Sequence, residues 1–379
     1  MVTLLYAHGD ERLAGYPEIG DAAYGRPGLV VVHFFHKATL FGVSTLFLIL
    51  AGKFLCEGLG GGGEGLVPSI GNDEAAWTQN WTVVATAVML VPMLLLRSIG
   101  EIAPLSALGM SASATTVVVV VACSLLLAPI GAASDVPLDP AFAASNATSV
   151  THQAYVVATL PSAFAAITLS FGGHAVFPSI EHDMVRPGSF ARVLDASFAA
   201  LVVMYLAVAA VGYGVFGDEV YSPILCNLPR STSTAIGAIG AATKLLIALH
   251  TLCAYPILMN AAVLELEALC DVDRVKWPAW RRLAARTCLR TCCVLGTGAV
   301  ALFVPYFAEM MTLVGAMCLT AIVFVLPVVF SFKLRGAAMG PGERVVGAFA
   351  ATIGACAGAV GSFQAVQSIV EKLASGAAQ

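Results

Sequence analysis

Long apolar runs alternate with short polar connections along the whole chain. Nine such runs can be counted, over residues 30–51, 81–96, 111–130, 156–180, 193–216, 235–263, 288–304, 310–332 and 345–370. Most approach or exceed the ~20 residues that an α-helix needs to cross a hydrocarbon core. Breakers separate them: a glycine-rich stretch at 58–65, Pro187-Gly188, Pro305 and Pro341-Gly342. There is no short-period repeat and no linker long enough to set off a second domain. The pattern predicts an all-α polytopic membrane protein with about nine transmembrane helices. They form a single transmembrane domain over 1–379, opening on a polar segment, 1–29.

Composition agrees. Hydrophobic residues make up 59% of the 379 positions and charged residues 11%, against about 25% charged in a soluble domain. Most of the surface therefore does not face water. The net charge of −4, with no basic run suited to nucleic acid, excludes that class of partner. Ten cysteines are scattered, mostly inside apolar runs, and none has the CxxC or His/Cys spacing of a metal site. No metal or other cofactor is expected. Cys288, Cys292 and Cys293 cluster beside basic residues, where helix packing is favoured over acylation. The first residues are polar within a turn or two, unlike a cleavable signal peptide.

Lys and Arg near membrane ends collect on the cytosolic side. With nine crossings, one side holds Arg12, Arg26, Arg97, Arg186, Arg192, six basic residues from Arg274 to Arg290, and Lys333, Arg335 and Arg344. The other holds Lys53, Arg230 and Lys372, with Lys37 and Lys244 inside runs. This asymmetry places Met1 in the cytosol and Gln379 on the opposite side. The same alternation puts the Asn146-Ala147-Thr148 sequon on the non-cytosolic side, open to glycosylation.

The fourth run contains Ser170-Phe171-Gly172-Gly173-His174-Ala175-Val176-Phe177-Pro178. Paired glycines weaken a helix, and a proline removes a backbone donor, so a break is predicted here. Backbone left unpaired at membrane depth is costly unless something satisfies it, and transporters use such breaks to hold substrates and ions. The simpler reading is a kink that lets helices approach closely. An ionisable His174 at this depth faces a cavity or ties two helices together.

Several stretches carry a resemblance. Phe171 through Pro178, followed by Met184 and Pro187, resembles the sixth helix of the amino acid/auxin permease family. The stretch Tyr16-Pro17-Glu18-Ile19-Gly20-Asp21-Ala22-Ala23-Tyr24-Gly25 resembles its cytosolic loop between the second and third helices. Gly212-Tyr213-Gly214-Val215-Phe216-Gly217 resembles the end of its seventh helix. The region 305–327, with Leu313-Val314-Gly315, resembles its ninth and tenth. The resemblance implies a LeuT-type inverted repeat and amino-acid transport, commonly coupled to protons or sodium. The nine runs would be helices three to eleven, and Met1-Val2-Thr3-Leu4-Leu5 is similar to the tail of the second. That leaves the first helix, half of the substrate site in that fold, out of this sequence, and residues 1–379 alone are expected not to transport.

By this resemblance Phe171, Gly172, Gly173 and His174 bind substrate, and Thr243 is a candidate cation ligand. Lys244 could act as a fixed cation or pair with a carboxylate, although snorkelling to the outer interface is favoured. His33, His36 and Lys37 share a helical face at a cytosolic mouth. Gly354 and Gly358 read as a close-packing pair, and the Arg274 to Arg290 cluster as a loop touching anionic lipid heads. The leading function is secondary amino-acid transport coupled to a proton or sodium, as symport, in the plasma membrane or a vacuolar or other endomembrane. The alternative is a non-transporting amino-acid sensor or truncated product. No catalytic constellation points to an enzyme.

Overall fold

A computed structural model describes Leu4, Leu13 and residues 15–59, 74–95, 103–127, 151–153, 155–174, 177, 180–181, 184–228, 235–272 and 277–375. Among them the regular structure is entirely helical. The elements are α1 (Tyr16–Tyr24), α2 (Arg26–Leu59), α3 (Glu74–Leu95), α4 (Ala103–Leu127), α5 (Leu160–Ser170), α6 (Phe190–Phe216), α7 (Ala235–Leu269), α8 (Ala279–Phe303), α9 (Phe307–Leu334) and α10 (Pro341–Ser375). Eight of these are long and apolar enough to cross a membrane. The fourth run instead gives a short apolar helix, Val157–Ser170, which stops at the expected break. Several helices outrun their apolar segments: α2 reaches Leu59, eight residues past residue 51, and α8 starts at Ala279, well before residue 288. Once nucleated, a helix continues into its polar ends, because each further residue adds a backbone hydrogen bond.

The chain divides into two compact units. The first comprises Met1–Val43, Val156–Phe198 and Glu309–Ala377, and the second comprises Ser44–Tyr155 and Ala199–Ala308 with the last two residues.

In the first unit the stretch expected to be a loop is α1, a short helix with Pro17 in its first turn, where the missing amide costs nothing. Gly25, at φ 66°, turns the chain from α1 into α2. Tyr16, Ile19, Ala23 and Val32 form a buried cluster with Ile322, Leu326 and Phe330 of α9. Burial pushes the Tyr16 phenol well above its usual range, so it stays a neutral donor, and its hydroxyl bonds the Ile322 carbonyl at 2.9 Å.

That carbonyl belongs to an irregular helix. α9 is α-helical over Phe307–Leu313, π-helical over Val314–Leu319 and Ala321–Val325, and α-helical again over Leu326–Leu334. In the wider turn the Thr320 amide reaches the Gly315 carbonyl, five residues back, and the Thr320 hydroxyl adds a second bond to it at 2.9 Å. Gly315 is required by packing, because a β-carbon there would collide with the Ala165 carbonyl of α5. The Gly354/Gly358 expectation holds: β-carbons there would come within 2.6 Å of Phe324 and 2.8 Å of the Ala316 carbonyl.

The second unit is built from regular helices. α7 packs against α3, α4 and α8, and α8 packs against α3. Threonine hydroxyls bond back into their own helices, Thr86 to the Thr82 carbonyl at 2.8 Å and Thr297 to Val294 at 3.0 Å, so these two hydroxyl protons are not left unpaired. Tyr255 ties α7 to α8 through Thr297 at 2.8 Å.

Candidate substrate and coupling sites

At the end of α5 the hydrogen-bond ladder tightens and then lapses. The Phe171 amide reaches the Ile167 carbonyl, four residues back, at 3.1 Å. The Gly172 amide reaches Leu169, three back, at 3.1 Å, and Gly173 reaches Phe171, two back, at 3.0 Å. Residues 171–174 are not helical, and helical backbone is present again at Phe177. Without a β-carbon, Gly172 and Gly173 allow this contraction at little steric cost.

The two glycines differ in what they face. A β-carbon on Gly172 would lie 2.8 Å from Leu319 in the π-helical part of α9, so close packing is one of its roles. On Gly173 it would meet only the edge of the Phe177 ring, at 2.9 Å. Aromatic rings surround the break. Phe171 stacks on Phe198 with centroids 5.8 Å apart, while Phe177 lies 6.0 Å from Phe190 and 6.2 Å from Phe198. The His174 ring is 5.1 Å from Phe177, and its Nδ1 is buried with no hydrogen-bond partner among the described residues. Phe171, Gly172, Gly173 and His174 are thus brought together in one unwound, ring-lined stretch. Glu181, just beyond it, is buried as well. Glu181 follows directly on the end of the fourth apolar run, at residue 180, so periodicity alone does not single it out.

The coupling candidates lie in the second unit, and here the structure corrects the expectation of snorkelling. Lys244 is fully buried. Its Nζ is 2.9 Å from Glu57 Oε2, and it donates to the Leu228 carbonyl at 3.3 Å. Snorkelling loses because a carboxylate on α2 is within reach, and a paired ammonium need not seek water. Glu57 lies past the apolar run 30–51, in the part of α2 that hydropathy does not mark. Cys226 Sγ is 3.9 Å from Glu57 Oε1, so the same carboxylate engages the segment between α6 and α7. Thr243 is buried, and its hydroxyl proton goes to the Ile239 carbonyl at 2.7 Å, which leaves its oxygen lone pairs for any cation.

His250 also proves structural, its Nδ1 lying 2.7 Å from the Gly109 carbonyl and linking α7 to α4. At the start of α2, Lys37 Nζ is 3.0 Å from His33 Nδ1 and His36 is buried, so this face is less open than a solvated mouth requires. Glu309 at the start of α9 pairs with Lys372 of α10 at 2.6 Å. Asn146 lies outside the described residues.

Residues 1–370 match the family model described as transmembrane amino acid transporter protein. The chain is 28% identical over 362 residues to the amino acid transporter AVT1B of Arabidopsis thaliana, covering 94% of this chain and 60% of that protein. It is 27% identical over 368 residues to AVT1C of the same plant, covering 95% and 60%. A vesicular inhibitory amino acid transporter of Mus musculus is 27% identical over 264 residues, covering 68% and 46%. The chain therefore spans about 60% of the length of the two plant relatives. The relatives named here are transporters, not enzymes. The match over nearly the whole chain is what the four motifs implied: the protein is a multi-pass member of the transmembrane amino acid transporter family.

Proposed function

We propose that the protein is a secondary transporter that carries an amino acid across its membrane by symport with a proton or sodium. The observation that carries this reading is the lapse of the backbone ladder at residues 171–174, inside a chain of this family. The C-terminal end of a helix carries partial negative charge on its last carbonyls. α5 ends at Ser170, at the break, so the α-ammonium of an amino acid is the group best suited to bind there. The Gly172 and Gly173 amides are held by the chain's own carbonyls, which makes them weaker candidates for the substrate carboxylate. The rings of Phe171, Phe177 and Phe198 offer an apolar surface to the side chain and a π face to the ammonium.

His174 is assigned to proton coupling as an imidazole at the break whose buried Nδ1 has no hydrogen-bond partner among the described residues. Lys244, neutralised by Glu57, supplies a fixed buried cation beside Thr243. We assign Met1 to the cytosol, Gln379 to the opposite side and glycosylation to Asn146, on the distribution of basic residues.

The test is uptake by the purified full-length protein in proteoliposomes, with a panel of amino acids and an imposed proton or sodium gradient. Saturable, gradient-driven uptake is expected, abolished by Gly173→Leu. His174→Gln should retain exchange and flatten the pH profile. Gradient-driven uptake that survives Gly173→Leu would reduce the break to a packing kink. Absence of uptake under either gradient would contradict the transport reading itself.

A further inference from the structure

The second unit contains a cavity of about 470 Å3 where the ends of α3 and α7 meet the start of α8. Three of its lining residues, Arg282, Arg286 and Arg290, lie on successive turns and therefore on one face of α8. Arg290 is the buried floor. Its Nε bonds Glu267 Oε1 at 2.8 Å and its Nη1 bonds the Met93 carbonyl at 2.8 Å. Arg286 approaches Oε2 of the same carboxylate at 3.6 Å with its side chain 39% exposed, and Arg282 is half-buried at the rim. Among the described lining residues Glu267 is the one carboxylate against three arginines, an excess of two formal positive charges in that set. Leu94, Leu264 and Leu283 complete walls of low polarisability, which strengthen the field inside.

The surroundings fix the depth of this pocket. Trp280 and Leu283 on the same turn region of α8 are 71% and 61% exposed. Trp277 sits just ahead, covered by the Arg281 guanidinium 5.2 Å from its ring. Exposed tryptophan beside arginine marks the headgroup level of a bilayer. A cationic, half-enclosed pocket at that level matches a phosphate ester, which guanidinium groups bind through paired hydrogen bonds.

We propose that this pocket binds the phosphate-bearing headgroup of an anionic membrane lipid, with Arg282 and Arg286 as the ligating residues and the Arg290–Glu267 pair as the fixed floor that positions them. The site is built from other residues than the proposed substrate site, and anionic lipid bound there holds α3, α7 and α8 together at their ends. This also sharpens the expectation of a diffuse basic loop, because the three arginines converge on one cavity while Arg281 is spent on Trp277.

The test measures thermal unfolding of the purified protein in neutral phosphatidylcholine nanodiscs, with and without a phosphatidylinositol phosphate, and titrates a short-chain form of that lipid for affinity. Inorganic phosphate is titrated in parallel. The expected result is stabilisation by the lipid, absent with inorganic phosphate at equal concentration and weakened by added salt. Arg282→Gln and Arg286→Gln should each weaken binding about fivefold, and together roughly thirtyfold. Both leave the Arg290–Glu267 pair intact, so folding should persist. Arg281→Gln removes the same charge outside the pocket and should leave affinity unchanged. An equal loss from Arg281→Gln would show that diffuse surface potential, not the pocket, attracts the lipid. Equal stabilisation by inorganic phosphate would overturn the lipid assignment, and identical unfolding with and without lipid would overturn the site.

Discussion

The two units solve the same problem, backbone and polar groups in a medium without water, in opposite ways. In the second, helices are regular and charges are buried as pairs: Lys244 with Glu57, and Arg290 with Glu267. In the first, the helices themselves are irregular. α5 stops at Ser170, and α9 carries π-helical turns over Val314–Leu319 and Ala321–Val325. Side chains bond the carbonyls of this irregular helix, Tyr16 of α1 reaching Ile322 and Thr320 of α9 itself adding a bond to Gly315. Buried pairs resist the loss of either partner, whereas irregular backbone stores groups that a ligand can use. A division of labour is proposed: rigidity in the paired charges, and recognition in the broken helix.

Substitutions should separate these roles on one scale of thermal unfolding in detergent. Removing one half of a buried pair is the most damaging change. Glu57→Ala or Lys244→Met should each cost about 3–5 kcal/mol, because the other charge is left alone. The double change Glu57→Leu with Lys244→Met should recover most of that. If either single variant unfolds like the parent, the pair does not hold the second unit together. Next is Gly315→Ala, where the new methyl meets backbone and cannot be relieved by a rotamer change; a loss of about 1–3 kcal/mol is expected. Thr320→Val, which removes the bond to the Gly315 carbonyl, should cost about 1 kcal/mol. Smallest in stability is Gly173→Ala, whose methyl meets only a ring edge able to turn aside. Its unfolding should match the parent while amino-acid uptake falls. A large stability loss in Gly173→Ala would erase the contrast between the units.

Most of the architecture was legible because apolar runs near the length of a membrane crossing have few alternative fates. The break was legible too, from Gly172-Gly173, since two residues without side chains in a helical pattern announce a conformational requirement. The π-helical turns were not. Residues 314–325 read as an ordinary apolar run, and their irregularity comes from tertiary contacts, Gly315 against Ala165 and Tyr16 against Ile322. Glu57 as the partner of Lys244 was not legible for a related reason. Whether a buried lysine snorkels or pairs depends on a partner nearly two hundred positions away, and Glu57 stood beyond the end of its apolar run. The convergence of Arg282, Arg286 and Arg290 was half visible, as spacing on one helix, while Glu267 and the cavity wall came only with the fold.

The unwound stretch after α5 is proposed to receive the amino acid. Hydrogen exchange of the purified protein in nanodiscs, with and without a saturating amino-acid panel, tests it most directly. Bound substrate should slow exchange at the amides of residues 171–174 and at Phe177, with little change in α7 or α8 of the second unit. Protection confined to α7 or α8, with residues 171–174 exchanging at the same rate in both conditions, would contradict the claim.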